Sequence, residues 1–167
     1  AWFNNVSFIA EDLGSLTPQV HKMLADSGLP GMKVLEFAFD PASLSDYLPH
    51  RYIENCICYA GTHDNNTLRG WIDEENPETL AFAREYLGID DDADLADAVL
   101  RAGMRSKAEL FIAQMQDWLG LGVDARMNTP GTVGGNWAWR MTPGSETKAL
   151  AGKMRRMAYI YGRSDKK

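Results

Sequence analysis

Cysteine is scarce in this chain: Cys56 and Cys58 are the only two in 167 residues. That number rules out a disulfide scaffold. In an extended segment, side chains two apart share a face. The pair therefore reads as two buried thiols in a reducing, cytoplasmic compartment, with a metal pair or a strained disulfide as the alternative. Long apolar runs are missing as well. None approaches the roughly 18 residues of a membrane span, and no leader pattern opens the chain, so no membrane partner is expected. Positive charge is in deficit, with 17 Lys and Arg against 23 Asp and Glu and a net charge of −6. Steering toward nucleic acid or an anionic surface is thereby disfavoured. "GTVGG" lacks dinucleotide-binding spacing, and no phosphate-loop lysine follows a glycine run, so a nucleotide-phosphate site is unsupported. No G-x-S-x-G elbow occurs. His21, His50 and His63 show no metal-ligand spacing, and the first two read as surface residues.

What is present is an alternation of β-rich runs and amphipathic stretches, the signature of an α/β chain with parallel strands. "NVSFIA" (5–10) reads as a first strand. Thr17 and Pro18 open a helix carrying Val20, Met23 and Leu24 on one face, and Gly28 ends it. "MKVLEFAF" (32–39) reads as a second strand and "NCICYAG" (55–61) as a third. Thr67 caps a short helix through Trp71. Asn76 and Pro77 start another helix, which Gly88 closes. The acidic start of "DDADLADAVLRAG" suits the positive end of a helix dipole. "LFIAQM" fits either a strand or a helix by period, and the turn-rich segment after it favours a fourth strand. Leu150, Met154, Met157, Ala158 and Tyr161 mark a final helix, and "SDKK" a solvated tail. The composition, 45% hydrophobic and 24% charged, is that of an ordinary globular chain.

The strand ends carry the chemistry. The first ends in Glu11-Asp12-Leu13-Gly14, and the third in "GTHDNNT" with His63 and Asp64. A later loop brings Asp124, Arg126 and Asn128, then Trp137 and Trp139. In a parallel barrel the C-terminal strand ends share one face, where active-site side chains gather. Two carboxylates from separate strand ends, with His, Asn and aromatics nearby, suit glycosidic chemistry. Each motif also has a local explanation. "ED" opens many solvated turns, "THDNNT" fits an Asx-type turn ahead of a capped helix, and "NTPG" is itself a turn sequence.

Three longer stretches then narrow the reading: "AEDLGSLTPQVHKMLADSGLPGMKVLEFAFD", "GTHDNNTLRGW" and "GLGVDARMNTPGTVGGNWAWRM". Together and in order they resemble the C-terminal half of the 4-alpha-glucanotransferases (amylomaltases, or disproportionating enzymes), glycoside hydrolase family 77. The resemblance covers most of the chain except the acidic 73–105 region. It implies an α/β fold, the C-terminal half (about strands 5–8) of a (β/α)8 TIM-type barrel, as a single partial domain over 1–167. It implies transfer of an α-1,4-glucan to the 4-hydroxyl of another glucan through a covalent glycosyl-enzyme. Glu11 then matches the general acid/base and Asp64 the transition-state-stabilising carboxylate. His63, Asn128, Asp12 and an aromatic of "EFAFD", Phe37 or Phe39, match substrate-binding positions.

One departure accompanies the match. The family's nucleophile is an Asp in an "RxDHxRG"-like stretch, and no such stretch occurs here. A retaining mechanism places nucleophile and acid/base about 5–5.5 Å apart, so these residues alone are expected to be inactive. The absence of an initiator Met suggests an excised piece of a longer protein. Half a barrel would leave two sheet edges and an apolar interior open. The expected remedies are a homodimer, pairing with a complementing N-terminal half, or rearranged helices over the sheet. A maltodextrin-binding module and a purely structural half-barrel are the alternative functions.

Overall fold

The sheet is small and entirely parallel. In the computed structural model, which describes residues 6–43 and 45–164, three strands run in the order β1-β2-β3. They are β1 (Gly31–Val34), β2 (Cys56–Tyr59) and β3 (Leu110–Ile112). Gly31 pairs with Cys56 and Val34 with Tyr59, while Ile57 pairs with Leu110 and Tyr59 with Ile112. Parallel neighbours need crossovers, and these are long. Two 3-10 turns, Leu35–Phe37 and Pro49–Arg51, lie between β1 and β2. Three helices connect β2 to β3: α2 (Leu68–Glu74), α3 (Pro77–Leu87) and α4 (Leu95–Arg105). Helix α1 (Pro18–Ser27) precedes the sheet; α5 (Met115–Trp118), a 3-10 turn at Val123–Ala125 and α6 (Lys148–Ile160) follow it.

Local chemistry accounts for the helix ends. The side chains of Thr67, Asn76, Asp94 and Thr147 each accept a hydrogen bond from a backbone N–H of the first turn, satisfying donors that no carbonyl can reach. Thr17 stands at the N-cap of α1 without such a bond. Gly28 and Gly88 take the left-handed conformation that ends α1 and α3.

Side chains alternate across the strands, so the sheet has two different faces. Cys56, Cys58 and Phe111 face the helices and join a core with Leu35, Phe39, Leu48, Leu68, Trp71, Val99, Leu100 and Met157. Both thiols are free and buried. The opposite face carries Met32, Val34, Ile57, Tyr59, Leu110 and Ile112. Met32, Val34 and Ile57 are buried, whereas Leu110 is 46% and Ile112 36% exposed.

Three sequence expectations change. Among the described residues of the expected first strand, 6–10, no strand forms; Asn5 lies outside them. Ala10 donates to the Pro30 carbonyl at 2.9 Å, beside β1. Val6, Phe8 and Ile9 stay exposed. The apolar run 32–39 is strand only to Val34, because Ala38 donates to the Leu35 carbonyl at 2.9 Å and the chain tightens into a 3-10 turn. "LFIAQM" is strand for three residues before Gln114 turns the chain into α5. Helix α1 buries none of its residues, and Met23 on its apolar face is 65% exposed. Of the expected tail, residues 165–167 lie outside the described residues.

Candidate active site

An open cleft of about 1160 Å³ lies over the exits of all three strands. It is lined by Glu11, Glu36, Phe37, Tyr59, His63 and Asp64, with Gln114 and Arg126 on the far side. The sequence thus brings residues more than a hundred positions apart to one concave surface.

Asp64 is the most firmly braced of the candidate residues. It sits in the turn that follows β2, and the turn is folded by its own side chains. Asn65 Oδ1 accepts from the Thr62 N–H at 3.0 Å and from Thr62 Oγ1 at 2.8 Å; Thr62 Oγ1 accepts from the Asp64 N–H at 3.2 Å. From below, Gln114 Nε2 donates to the Thr62 carbonyl at 3.1 Å. From across the cleft, Asn128 Nδ2 donates to Asp64 Oδ1 at 2.6 Å. Arg126 ties the two loops together, with Nη2 donating to the Asp64 carbonyl at 2.7 Å and Nε to the Asn128 carbonyl at 2.9 Å. His63 Nε2 lies 3.3 Å from Asp64 Oδ1. Its ring stacks on Trp137, with centroids 5.2 Å apart. Trp137 has φ 61°, unusual for a bulky residue, and its N–H donates to the Met127 carbonyl at 2.7 Å.

Glu11 reaches the cleft from the segment before α1. It is exposed. Its charge, after burial, helps to push the Tyr59 phenol above its ordinary range, which places the carboxylate beside the exit of β2. Asp12 points elsewhere. Its Oδ1 accepts from the Met32 N–H at 2.6 Å, and a Cβ on Gly31 would meet its carboxylate at 2.5 Å. Asp12 therefore fastens the loop to β1 from the side away from the cleft, where it lines a smaller cavity of about 270 Å³.

The two aromatic candidates separate. Phe37 is 46% exposed, lines the cleft and meets Tyr47 edge-on. Phe39 is 1% exposed, packed against Trp71 and Tyr86 in the core. The reason is the 3-10 turn, which rotates successive side chains by about 120° rather than 180°. Of the two aromatics expected at the site, Phe37 is therefore on the cleft and Phe39 in the core. His21 and His50 are exposed, and His50 stacks on Tyr86.

Two acids were not singled out by sequence. Glu36 is 8% exposed with Oε1 unpartnered; burial first and then the Asp117 charge push its pKa up to about 8. Asp117 is 4% exposed; burial pushes it up to about 6 although its Oδ1 accepts from the Leu68 N–H at 2.8 Å. The available signal for Glu36 was an acid interrupting the apolar run "VLEFAF". Among the described residues no group of three or more His, Cys, Asp or Glu could hold a metal ion, and no helix is long and apolar enough to cross a membrane.

Chemically, the cleft offers carboxylates on two separate loops, an imidazole–indole pair and amide donors. Such a set can move a proton, stabilise developing positive charge and hold hydroxyl groups.

Comparison with known proteins gives this arrangement a context. A family model described as 4-alpha-glucanotransferase matches residues 2–147. The 4-alpha-glucanotransferases of Clostridium butyricum and Thermus thermophilus are 41% and 43% identical over 96% and 93% of this chain. In each case the matched part is 33% of the relative. The solved amylomaltase from Streptococcus agalactiae in complex with acarbose superposes with a TM-score of 0.89 at 39% identity, covering 94% of this chain and 32% of that one. The chain thus spans about a third of the length of the curated relatives it matches.

Proposed function

The chain belongs to the 4-alpha-glucanotransferase family, glycoside hydrolase family 77, and on that premise we propose that its cleft is part of the site that transfers an α-1,4-glucan to the 4-hydroxyl of glucose or a maltodextrin. In this reading Glu11 is the general acid/base and Asp64 stabilises the oxocarbenium-like transition state. His63 and Asn128 hold sugar hydroxyls, and Phe37 lines an acceptor subsite. Asp12 serves the site at one remove, by tying the Glu11 loop to β1. No cofactor is needed, since the glucan is both donor and acceptor.

The observation that carries the reading is the placement of Glu11 and Asp64 on one cleft, with Asp64 gripped at its carbonyl by Arg126 and at its carboxylate by Asn128. A transition-state stabiliser has to be fixed before charge develops, and that grip supplies the fixing. The segment corresponds in this reading to strands 5–8 of a (β/α)8 barrel, with residues 6–10 in the place of the first of the four. These 167 residues contain no "RxDHxRG"-like nucleophile stretch, so a polypeptide of this sequence alone turns nothing over.

A second reading, sugar binding without turnover, is favoured by the His63–Trp137 stack at the rim. The exposed apolar side chains of Val6, Phe8, Leu110 and Ile112 favour assembly with a complementing N-terminal half, or with a second copy as a homodimer.

Titration of the chain with acarbose and maltotriose, followed by tryptophan fluorescence, tests the site. Saturable binding that is lost in Asp64→Ala supports it, and no binding overturns it. Glucose release from maltotriose by the pure chain would refute the proposed lack of turnover.

A further inference from the structure

Glu36 stands directly under the turn that carries Asp64. A Cβ placed on Gly61 would lie 2.5 Å from Glu36 Oε1 and 3.1 Å from the Asn65 Cβ. Glycine at 61 is therefore what lets the carboxyl tuck beneath the chain where β2 leaves the sheet. The backbone of Glu36 is anchored separately, its N–H donating to the Ala60 carbonyl at 3.2 Å. The Glu36 carboxyl and the Asn65 side chain crowd the same spot beneath Gly61, and the Asn65 amide favours the carboxylate form. Asn65 Oδ1 receives both the N–H and the hydroxyl of Thr62, and Thr62 Oγ1 receives the Asp64 N–H. A relay of side chains thus runs from the floor of the cleft to the backbone of Asp64.

We propose that Glu36 is a positioning residue for Asp64, setting through Asn65 and Thr62 the height and angle at which the Asp64 carboxylate enters the cleft. The inference rests on the reading of Asp64 as the stabilising carboxylate. Glu36 touches no reacting atom in it.

The surroundings select the form in which Glu36 does this. Burial and the charge of Asp117 on α5 disfavour a carboxylate, as does Glu75 at the end of α2; the Asn65 side chain and the Arg126 guanidinium favour one. The first group prevails, and the carboxyl titrates at about 8. At neutral pH Glu36 is a neutral acid, able both to donate and to accept. Glutamine has the same shape and the same pair of capacities. Alanine has neither.

The test is a pH titration of the chain by amide NMR from pH 6 to 9.5, with an acarbose titration at pH 7, on wild type, Glu36→Gln and Glu36→Ala. In wild type the Asp64 backbone and Asn65 side-chain amide resonances should move together with a midpoint near 8. In Glu36→Gln that movement should vanish and acarbose affinity be retained. In Glu36→Ala affinity should fall about tenfold, as expected when a buried supporting side chain is truncated and its neighbours shift into the space, while the helical circular dichroism is unchanged. Flat Asp64 and Asn65 resonances in wild type would overturn the proposal. So would a Glu36→Ala variant whose Asp64 resonance matches wild type. If no form binds acarbose, the glucanotransferase reading fails, and the wild-type titration still decides whether Glu36 governs Asp64.

Discussion

Two acidic loops face the same cleft, and they are built in opposite ways. The turn carrying Asp64 is held from beneath by Gln114, from within by Asn65 and Thr62, and from across the cleft by Arg126 and Asn128. The segment carrying Glu11 is tied to β1 by the Ala10 and Met32 amides, and its preceding apolar side chains are exposed. The division suits the two roles proposed. A stabilising carboxylate works by being fixed before charge develops. An acid/base has to accompany a proton between two positions and tolerates a looser mount.

The comparison breaks most visibly with pH. Glu36 takes up a proton at a higher pH folded than unfolded, and Asp117 behaves likewise. The folded state therefore binds more protons across this window, and stability falls as pH rises from about 4.5 to about 8. For Glu36 alone the loss approaches about 4 kcal/mol at the top of the window. Urea unfolding of wild type and Glu36→Gln at pH 5 and pH 8 should show the variant's relative stability rising by an amount of that order.

Next in size is Gly61→Ala. The new methyl displaces Glu36 and crowds Asn65, at a cost of about 1–3 kcal/mol, read as a lowered urea midpoint with unchanged slope. It should also abolish the common pH response of Asp64 and Asn65. Asp12→Ala attacks the looser loop instead. It removes the acceptor of the Met32 N–H and should cost about 1 kcal/mol, with faster hydrogen exchange at Met32. Asn128→Ala has the smallest effect on folding, because Asp64 is half exposed and water replaces the lost donor, so stability changes by less than about 0.5 kcal/mol. Acarbose affinity should nonetheless fall severalfold, which would sharpen the distinction between holding the fold and holding Asp64.

What the sequence disclosed, and what it hid, follows from the range of the forces involved. The caps at Thr67, Asn76 and Gly88 were legible because a cap is settled within four residues. The exits bearing Glu11, His63 and Asp64 were legible as acidic ends of apolar runs. Whether residues 6–10 form a strand was not, because strand formation depends on a partner elsewhere in the chain. Nor was the break after Val34, because the apolar pattern of "VLEFAF" continues unchanged into the 3-10 turn. Phe37 and Phe39 look equivalent in the string, and only the 3-10 turn sends one to the cleft and the other to the core. Glu36 and Asp117 are ordinary acids on paper. Burial raises both pKa values, and for Glu36 the charge of Asp117, 81 positions away (117 − 36), adds to it; no local pattern records either.

The two thiols on the helix side of β2 give the molecule a clock. Cys58 is 0% exposed and burial pushes its pKa up to about 12. Alkylation needs a thiolate within reach of the reagent, so Cys58 reacts only in molecules whose helices have lifted off the sheet. With reagent in excess and reclosing slow, the rate of labelling equals the opening rate. With reclosing fast, it reports the population of the open form. Cys56 and Cys58 both lie in the central strand, so the two mass shifts followed over time give the lifetime of the closed helix–sheet packing, without a fluorophore or an engineered probe.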